Sequence, residues 1–127
     1  MEGGVEVSDI ESLIPEAPPP DVGRRAEWGA ASGRLVRIAD DPPVYVFMGE
    51  HGDHIVVGGV YCSCEAFKYS LLRGRPGCYH VYAARLHGGL ARRISAGRGE
   101  VESIIYEVVT AGFSPTLRRL IYVDPER

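Results

Sequence analysis

Three cysteines and one histidine lie close together in the middle of the sequence, in two short pairs. Cys62 and Cys64 form the first pair, and thirteen residues separate them from the second pair, Cys78 and His80. The chain of 127 residues has no other cysteine. Three thiolates and one imidazole complete the tetrahedral shell of zinc and leave no position on the metal open to a substrate. The spacing therefore predicts a structural Zn²⁺ site and no enzymatic activity.

Other interpretations of these residue types stay open. Cysteines are often buried as small apolar side chains, in which case His80 would be an ordinary surface histidine. Cys78 and His80 could also form a nucleophile and its base, although no orienting acid or oxyanion loop is apparent in the sequence. Residues 51–54, His-Gly-Asp-His, could resemble a second metal cluster. Their glycine and their place between two β-type runs favour a hairpin turn.

The length and composition are typical of a single cytoplasmic domain. A chain of 127 residues can bury a core without disulfides. No apolar run approaches the roughly 20 residues of a membrane span, and the amino terminus MEGGVEVSDIE lacks the features of a secretory signal. In a reducing compartment, thiols serve metals or catalysis rather than bridges. We expect neither a membrane partner nor a small-molecule substrate.

The elements around the ligands predict an α+β fold, a small antiparallel β-meander followed by helices. Residues 22–32 are expected to form a helix that ends at Gly33, with Trp28 on its buried side. Runs of β type follow, and the last of them continues into the first cysteine pair. These runs are residues 35–38, 44–48 and 55–61.

Helical periodicity replaces the β pattern after the cysteines. Helices are predicted over residues 65–73, 79–86 and 101–108, and from Ser114-Pro115 onward. Residues i and i+2 diverge by about 200° in mid-helix, so Cys78 must lie at or before the first helical turn to share an ion with His80. Two sets of side chains are expected to face the core: Tyr79, Tyr82, Ala83 and Leu86, and then Leu117, Leu120 and Ile121.

The charge divides the chain into an acidic appendage with a Pro-rich linker, residues 1–23, and a single domain, residues 24–127. The appendage has six acidic residues and no basic one, and the remainder has fourteen basic against eleven acidic residues. A short helix in the appendage could present an apolar edge to a partner protein. Its apolar residues are Ile10, Leu13 and Ile14. Alternatively, the segment folds back on its own domain or stays disordered.

Two further surfaces are candidates for binding. Residues 66–99 contain seven basic residues and no acidic one, and such a segment predicts a positive patch that could contact DNA phosphates. The basic residues are Lys68, Arg73, Arg75, Arg85, Arg92, Arg93 and Arg98. A solvated surface is the alternative. The apolar stripe of the helix predicted over residues 101–108 could leave an edge for a partner, or it could be buried within the monomer. That stripe is Val101, Ile104, Ile105 and Val108.

The ligand pattern resembles the C-x-C…C-x-H signature of SWIM zinc fingers. Residues 62–67, CSCEAF, and Ala83, three residues after the histidine, are similar to the SWIM subunit of Shu-type complexes. Those complexes partner RecA-family recombinase paralogues in homologous recombination. The resemblance covers roughly residues 30–95 and implies a ββα zinc finger with Cys62, Cys64, Cys78 and His80 as ligands. The acidic appendage and the carboxy-terminal helices lie outside it.

The resemblance implies a zinc-binding adaptor that acts in DNA repair through a RecA-family recombinase paralogue. SWIM fingers occur in proteins of several functions, so the ligands alone do not decide the function. The alternative is a freestanding nucleic-acid-binding module. The sequence has no Walker motif, so any ATP chemistry would belong to the partner.

Overall fold

The computed structural model describes residues 14–74 and 77–122. The predicted partner residues Ile10 and Leu13 and the basic residue Arg75 lie outside these ranges. Within the described residues, no helix is both long and apolar enough to cross a membrane.

The chain has an α+β fold, as the sequence predicted. The helices are α1 (Pro20–Ala31), α2 (Glu65–Leu72), α3 (Tyr79–His87), α4 (Arg98–Ala111) and α5 (Pro115–Tyr122), with a 3₁₀ turn at Gly88–Leu90. The strands are β1 (Leu35–Ala39), β2 (Val44–Gly49), β3 (Gly52–Val57), β4 (Tyr61–Cys62) and β5 (Arg92–Arg93). The helices predicted from residue 22 onward correspond to α1–α5, and the runs 35–38 and 44–48 correspond to β1 and β2. The run 55–61 is not one strand, because a turn at residues 58–60 divides it between β3 and β4. The short helix predicted in the appendage lies outside the described residues.

The sheet has the strand order β4-β3-β2-β1-β5. The first four strands form the predicted antiparallel meander. The fifth strand was not predicted, and it pairs parallel with β1 through Val36–Arg92 and Arg37–Arg93. Two exposed arginines carry no apolar alternation, so only the backbone pairing marks them as a strand. The sheet is therefore mixed, with β4 and β5 as its two edges.

Both faces of the sheet are covered by helices, and each face has its own core. Alternate strand residues point to opposite faces, so Leu35 and Phe47 lie in one core, and Val36 and Val46 lie in the other. The first core contains side chains of α1, α2 and α3 together with the three cysteines. The second core contains side chains of α4 and α5. The four predicted metal ligands thus lie in only one of the two cores.

Two side chains take positions that differ from the predictions. Trp28 is 50% exposed rather than buried, because the buried face of α1 is formed by its small residues Ala26, Gly29 and Ala30. Leu86 is also exposed, whereas Tyr82 and Ala83 of the same predicted stripe are buried.

The start of the folded domain lies earlier than residue 24. Ile14 is 2% exposed and belongs to the first core, and the carbonyl of Pro15 accepts a 2.7 Å hydrogen bond from the hydroxyl of Tyr82. Helix α1 begins at Pro20, within the segment predicted as a linker. The placement of Ile14 agrees with the alternative that this segment folds back on its own domain, and it corrects the expectation that Ile14 is a partner contact.

Candidate metal centre

The four predicted ligands lie at two junctions between elements. Cys62 ends strand β4, and Cys64 is the N-cap of helix α2. Cys78 is the N-cap of helix α3, and His80 is the second residue of that helix. The position of Cys78 satisfies the condition that it precede the first helical turn. The first pair differs from the expectation that the last β run continues into it, because the strand ends at Cys62 and Cys64 already caps α2.

The ligand atoms of these residues converge on one point. All four atoms lie within 4.8 Å of one another. The Sγ atoms of Cys64 and Cys78 are 3.6 Å apart, and Nδ1 of His80 is 3.5 Å from Sγ of Cys62 and 3.9 Å from Sγ of Cys78. Bond lengths of about 2.3 Å to sulfur and 2.0 Å to nitrogen place tetrahedral zinc ligands about 3.5 to 3.8 Å apart. The cluster therefore fits a four-coordinate metal ion.

Burial excludes the interpretation of His80 as a surface histidine. His80 is 5% exposed, and all three cysteines are buried and free of disulfides. The Nδ1 atom of His80 lies at least as close to Cys62 as to Cys78. The geometry thus does not single out Cys78 and His80 as a nucleophile and its base.

The thiols have unequal proton affinities when no cation is bound. Hydrogen bonds with the sulfurs of Cys62 and Cys78 hold the pKa of the Cys64 thiol far below its ordinary value. The backbone N–H of Phe67 also donates to the sulfur of Cys64, at 3.3 Å. The pKa of Cys62 is raised, because its thiol donates to Cys64 and to Cys78 and because it is buried. A metal ion that binds all three sulfurs as thiolates must therefore displace protons from the cluster.

Aromatic rings surround the imidazole of His80 and restrict its orientation. The ring centroids of Phe47, His54 and Tyr79 lie 4.4, 4.8 and 4.1 Å from the centroid of His80. Since Phe47 is fully buried in the first core, the sheet itself supports the imidazole. The ligand is thus positioned by packing before any metal binds.

Residues 51–54 belong to the turn between two antiparallel strands that the sequence predicted, and to the start of β3. Gly52 begins β3 directly after the turn from β2, and no further group of metal-ligating side chains is found among residues 14–74 and 77–122. Asp53 instead accepts two hydrogen bonds from the guanidinium of Arg118, at 2.6 and 2.8 Å, and one from the backbone N–H of Ser114 at 2.9 Å. This contact joins the sheet to α5, and sequence reasoning missed it.

No family match accompanies this geometry. Comparisons with protein-family models, with characterised proteins and with solved structures find nothing that matches the chain. Membership of the SWIM family and the ββα finger stay predictions that rest on the residues 62–67, the second ligand pair and Ala83.

The basic residues predicted to form one patch lie on separate surfaces. Lys68 and Arg73 are on or next to α2, which follows the β4 edge of the sheet, whereas Arg92 and Arg93 form the opposite edge. Four inter-strand spacings, about 19 Å, separate the two edges. Three of the cations also have carboxylate partners: Lys68 pairs with Glu65, Arg93 with Asp40 and Arg98 with Glu102. These positions and ion pairs do not support a single positive patch, and a contact of these residues with DNA stays a prediction.

The predicted partner stripe, which is on α4, lies mainly in the monomer core. Ile104 and Val108 are buried in the second core, and Val101 and Ile105 are partly buried against it. The burial alternative describes these four residues better than the partner hypothesis does.

Sequence reasoning also missed a cleft beside the metal centre. Arg25, Trp28 and Arg34 line it together with Tyr79 and the ligand His80. The spacing of Arg25 and Trp28, three residues apart on a predicted helix, placed them on one helical face. Their shared face was not recognised as a binding surface, because Trp28 was expected to be buried.

Proposed function

We propose that the chain is a zinc-stabilised adaptor that acts in homologous recombination and DNA repair by binding a RecA-family recombinase paralogue. The observation that carries the proposal is the buried Cys₃His cluster. Its four protein ligands account for every position of a tetrahedral ion, so the metal has a structural role.

Zinc is the ion that suits this donor set best. Three sulfurs and one imidazole nitrogen, here within 4.8 Å of one another, are a donor set typical of structural Zn²⁺ sites. The ion would join the end of β4 to the starts of α2 and α3. Its function in this proposal is to hold those two helices on the sheet.

The assignment of the partner rests on the resemblance to the SWIM subunit of Shu-type complexes. Exposed apolar side chains add support for a protein partner, since such groups mark interaction sites when they lie together. Tyr106 and Val109 are exposed one turn apart on α4, and the exposed Phe113 follows the left-handed Gly112 that ends the helix. We call these three residues the outer stripe of α4. It takes the place of the buried residues that the sequence analysis suggested.

The proposal is tested with purified, nuclease-treated protein and a purified recombinase paralogue from the same genome. We expect a stable complex on a sizing column, and we expect it to be lost when Val109→Asp is combined with Tyr106→Asp. Ser103→Asp, which also adds a negative charge to an exposed position of α4, is the matched control. Failure of every paralogue to bind, together with tight binding of the isolated chain to DNA, would favour the nucleic-acid-binding module instead.

A further inference from the structure

The cleft beside the metal centre combines cationic and aromatic groups. It has a volume of about 250 Å³. The guanidinium of Arg25 lies 4.3 Å from the ring centroid of Tyr79, and that of Arg34 lies 4.9 Å from the ring of Trp28. Each of these two guanidinium groups thus lies over an aromatic ring.

We propose that this cleft binds single-stranded nucleic acid, with Arg25 and Arg34 contacting a backbone phosphate and Trp28 stacking on a base. Proteins that bind single strands combine a cationic groove for the backbone with aromatic side chains on which bases stack. The site is distinct from the basic segment 66–99, and it would give the chain a contact with nucleic acid that needs no partner.

The charges of the two arginines are not neutralised by neighbouring carboxylates. Neither Arg25 nor Arg34 has an ion-pair partner in the part of the chain that the structure describes, unlike Lys68, Arg93 and Arg98. Glu50 also lines the cleft but makes no ion pair there with either arginine. An anion entering the cleft would therefore meet unpaired guanidinium groups, which favours a phosphate as the ligand.

The cleft is also positioned before a ligand arrives. Nη1 of Arg34 donates a 3.0 Å hydrogen bond to the carbonyl of Met48, which fixes the guanidinium over Trp28. Tyr79 belongs to α3 and directly precedes the predicted ligand His80, so the metal centre would hold the tyrosine side of the cleft in place. Binding thus requires little ordering of side chains, and less free energy is lost on association.

The exposure of Trp28 favours a nucleotide unit over a free anion. Half of this side chain is accessible to solvent, and it lines the cleft beside Arg34. A free phosphate gains nothing from an indole ring, whereas a base stacks on it. In a duplex the bases already stack on one another, so the proposal specifies a single strand.

The test uses the zinc-loaded full chain alone, so its result does not depend on whether a recombinase paralogue binds. Trp28 is the only tryptophan of the chain, and its fluorescence therefore reports on the cleft directly. An oligothymidylate of roughly 15 nucleotides is the probe. We expect quenching on titration, and weaker binding as salt is raised from about 50 to 200 mM.

Arg25→Ala is the main variant, because Arg25 makes no hydrogen bond to the sheet backbone that its loss would disturb. We expect binding about tenfold weaker, measured by the anisotropy of a labelled oligonucleotide, and a salt slope reduced by about one. Arg24→Ala removes the same charge from an exposed neighbour outside the cleft and should change affinity less than about twofold. Trp28→Ala should weaken binding by about tenfold or more.

Several outcomes would overturn the proposal. Equal effects of Arg24→Ala and Arg25→Ala would show that only the overall charge matters. Loss of binding in Arg92→Ala with Arg93→Ala, but not in Arg25→Ala, would place the contact at the β5 edge. Quenching of Trp28 by inorganic phosphate at the concentration at which the oligonucleotide acts would indicate a small-anion site. Tighter binding of a duplex than of the single strand would exclude base stacking on Trp28.

Discussion

Alanine at position 29 is expected to destabilise the domain through a single clash. A Cβ atom on Gly29 would lie 2.5 Å from Cζ of Phe47, and Phe47 is fully buried. Overpacking of this kind typically costs about 1 to 3 kcal/mol, against a gain of about 1 kcal/mol from the higher helix propensity of alanine. We therefore expect a net loss of stability of up to about 2 kcal/mol.

Position 23 of the same helix offers a matched control. A Cβ atom on Gly23 has its nearest neighbour, Cγ of Pro18, at an ordinary contact distance of 3.4 Å. Gly23→Ala should therefore gain the propensity term of about 1 kcal/mol without a clash. The two variants should differ by about 1 to 3 kcal/mol, or roughly 4 to 12 °C in Tm.

Urea and thermal unfolding of the zinc-loaded variants measure that difference. Phe47→Leu removes the atoms that clash, so combining it with Gly29→Ala should cost less than the sum of the two single changes. Because the ring of Phe47 packs against His80, Gly29→Ala should also weaken zinc retention in a chelator competition. Equal stability of Gly29→Ala and Gly23→Ala would refute the close contact between α1 and the sheet.

Three further predictions concern the metal and the C-terminal helices. Freshly purified protein should contain one zinc per chain, and Cys64→Ser should lower both zinc content and Tm. Elemental analysis that finds less than about half an equivalent of zinc in the unmodified protein would contradict the hypothesis that the metal is structural. Asp53→Ala should cost about 2 to 4 kcal/mol in denaturant unfolding, because it removes the buried partner of Arg118; a loss below about 1 kcal/mol would show that water replaces the contact. Burial alone would raise the pKa of Glu107, but hydrogen bonds, first among them that of Ser114, lower it below its ordinary value. Ionised Glu107 therefore stabilises the fold above the unfolded-state pKa of about 4.3, and this stabilisation is lost as the pH falls through the lower folded-state pKa. Thermal melts of Glu107→Gln should accordingly show a smaller decrease in Tm at acidic pH than melts of the unmodified protein.

The candidate metal centre could be predicted from sequence because its four ligands lie close together along the chain. Residues 62–80 contain all four ligands, and the requirement that Cys78 precede the first turn of its helix followed from helix geometry alone. The helices were predictable for a similar reason, since apolar periodicity and glycines such as Gly33 mark their faces and ends. Ser114 caps α5 as expected, accepting a 3.0 Å hydrogen bond from the backbone N–H of Leu117.

The surfaces could not be predicted, because they depend on contacts between distant residues. Trp28 is exposed since the small residues of α1 allow the helix to approach the sheet closely, and residue type alone favoured burying the tryptophan. Ile14 is buried in the first core, and the carbonyl of its neighbour Pro15 accepts a hydrogen bond from Tyr82 of α3, 67 residues further along the chain. The basic segment is continuous in sequence, but the strand order places its residues at opposite edges of the sheet.

The two cores of the domain are encoded by different stretches of the chain, which has a consequence for its synthesis on the ribosome. The first core, with all four metal ligands, uses buried residues between positions 14 and 84. The second core needs Ile104 and Val108 of α4 and the apolar side of α5. A nascent chain that has emerged only to about residue 90 thus has every ligand for zinc, while Val36, Val46 and Ile55 still lack their cover. Metal binding could accordingly begin before translation ends. Until the last two helices emerge, the uncovered face of the sheet would be an apolar surface to which chaperones can bind.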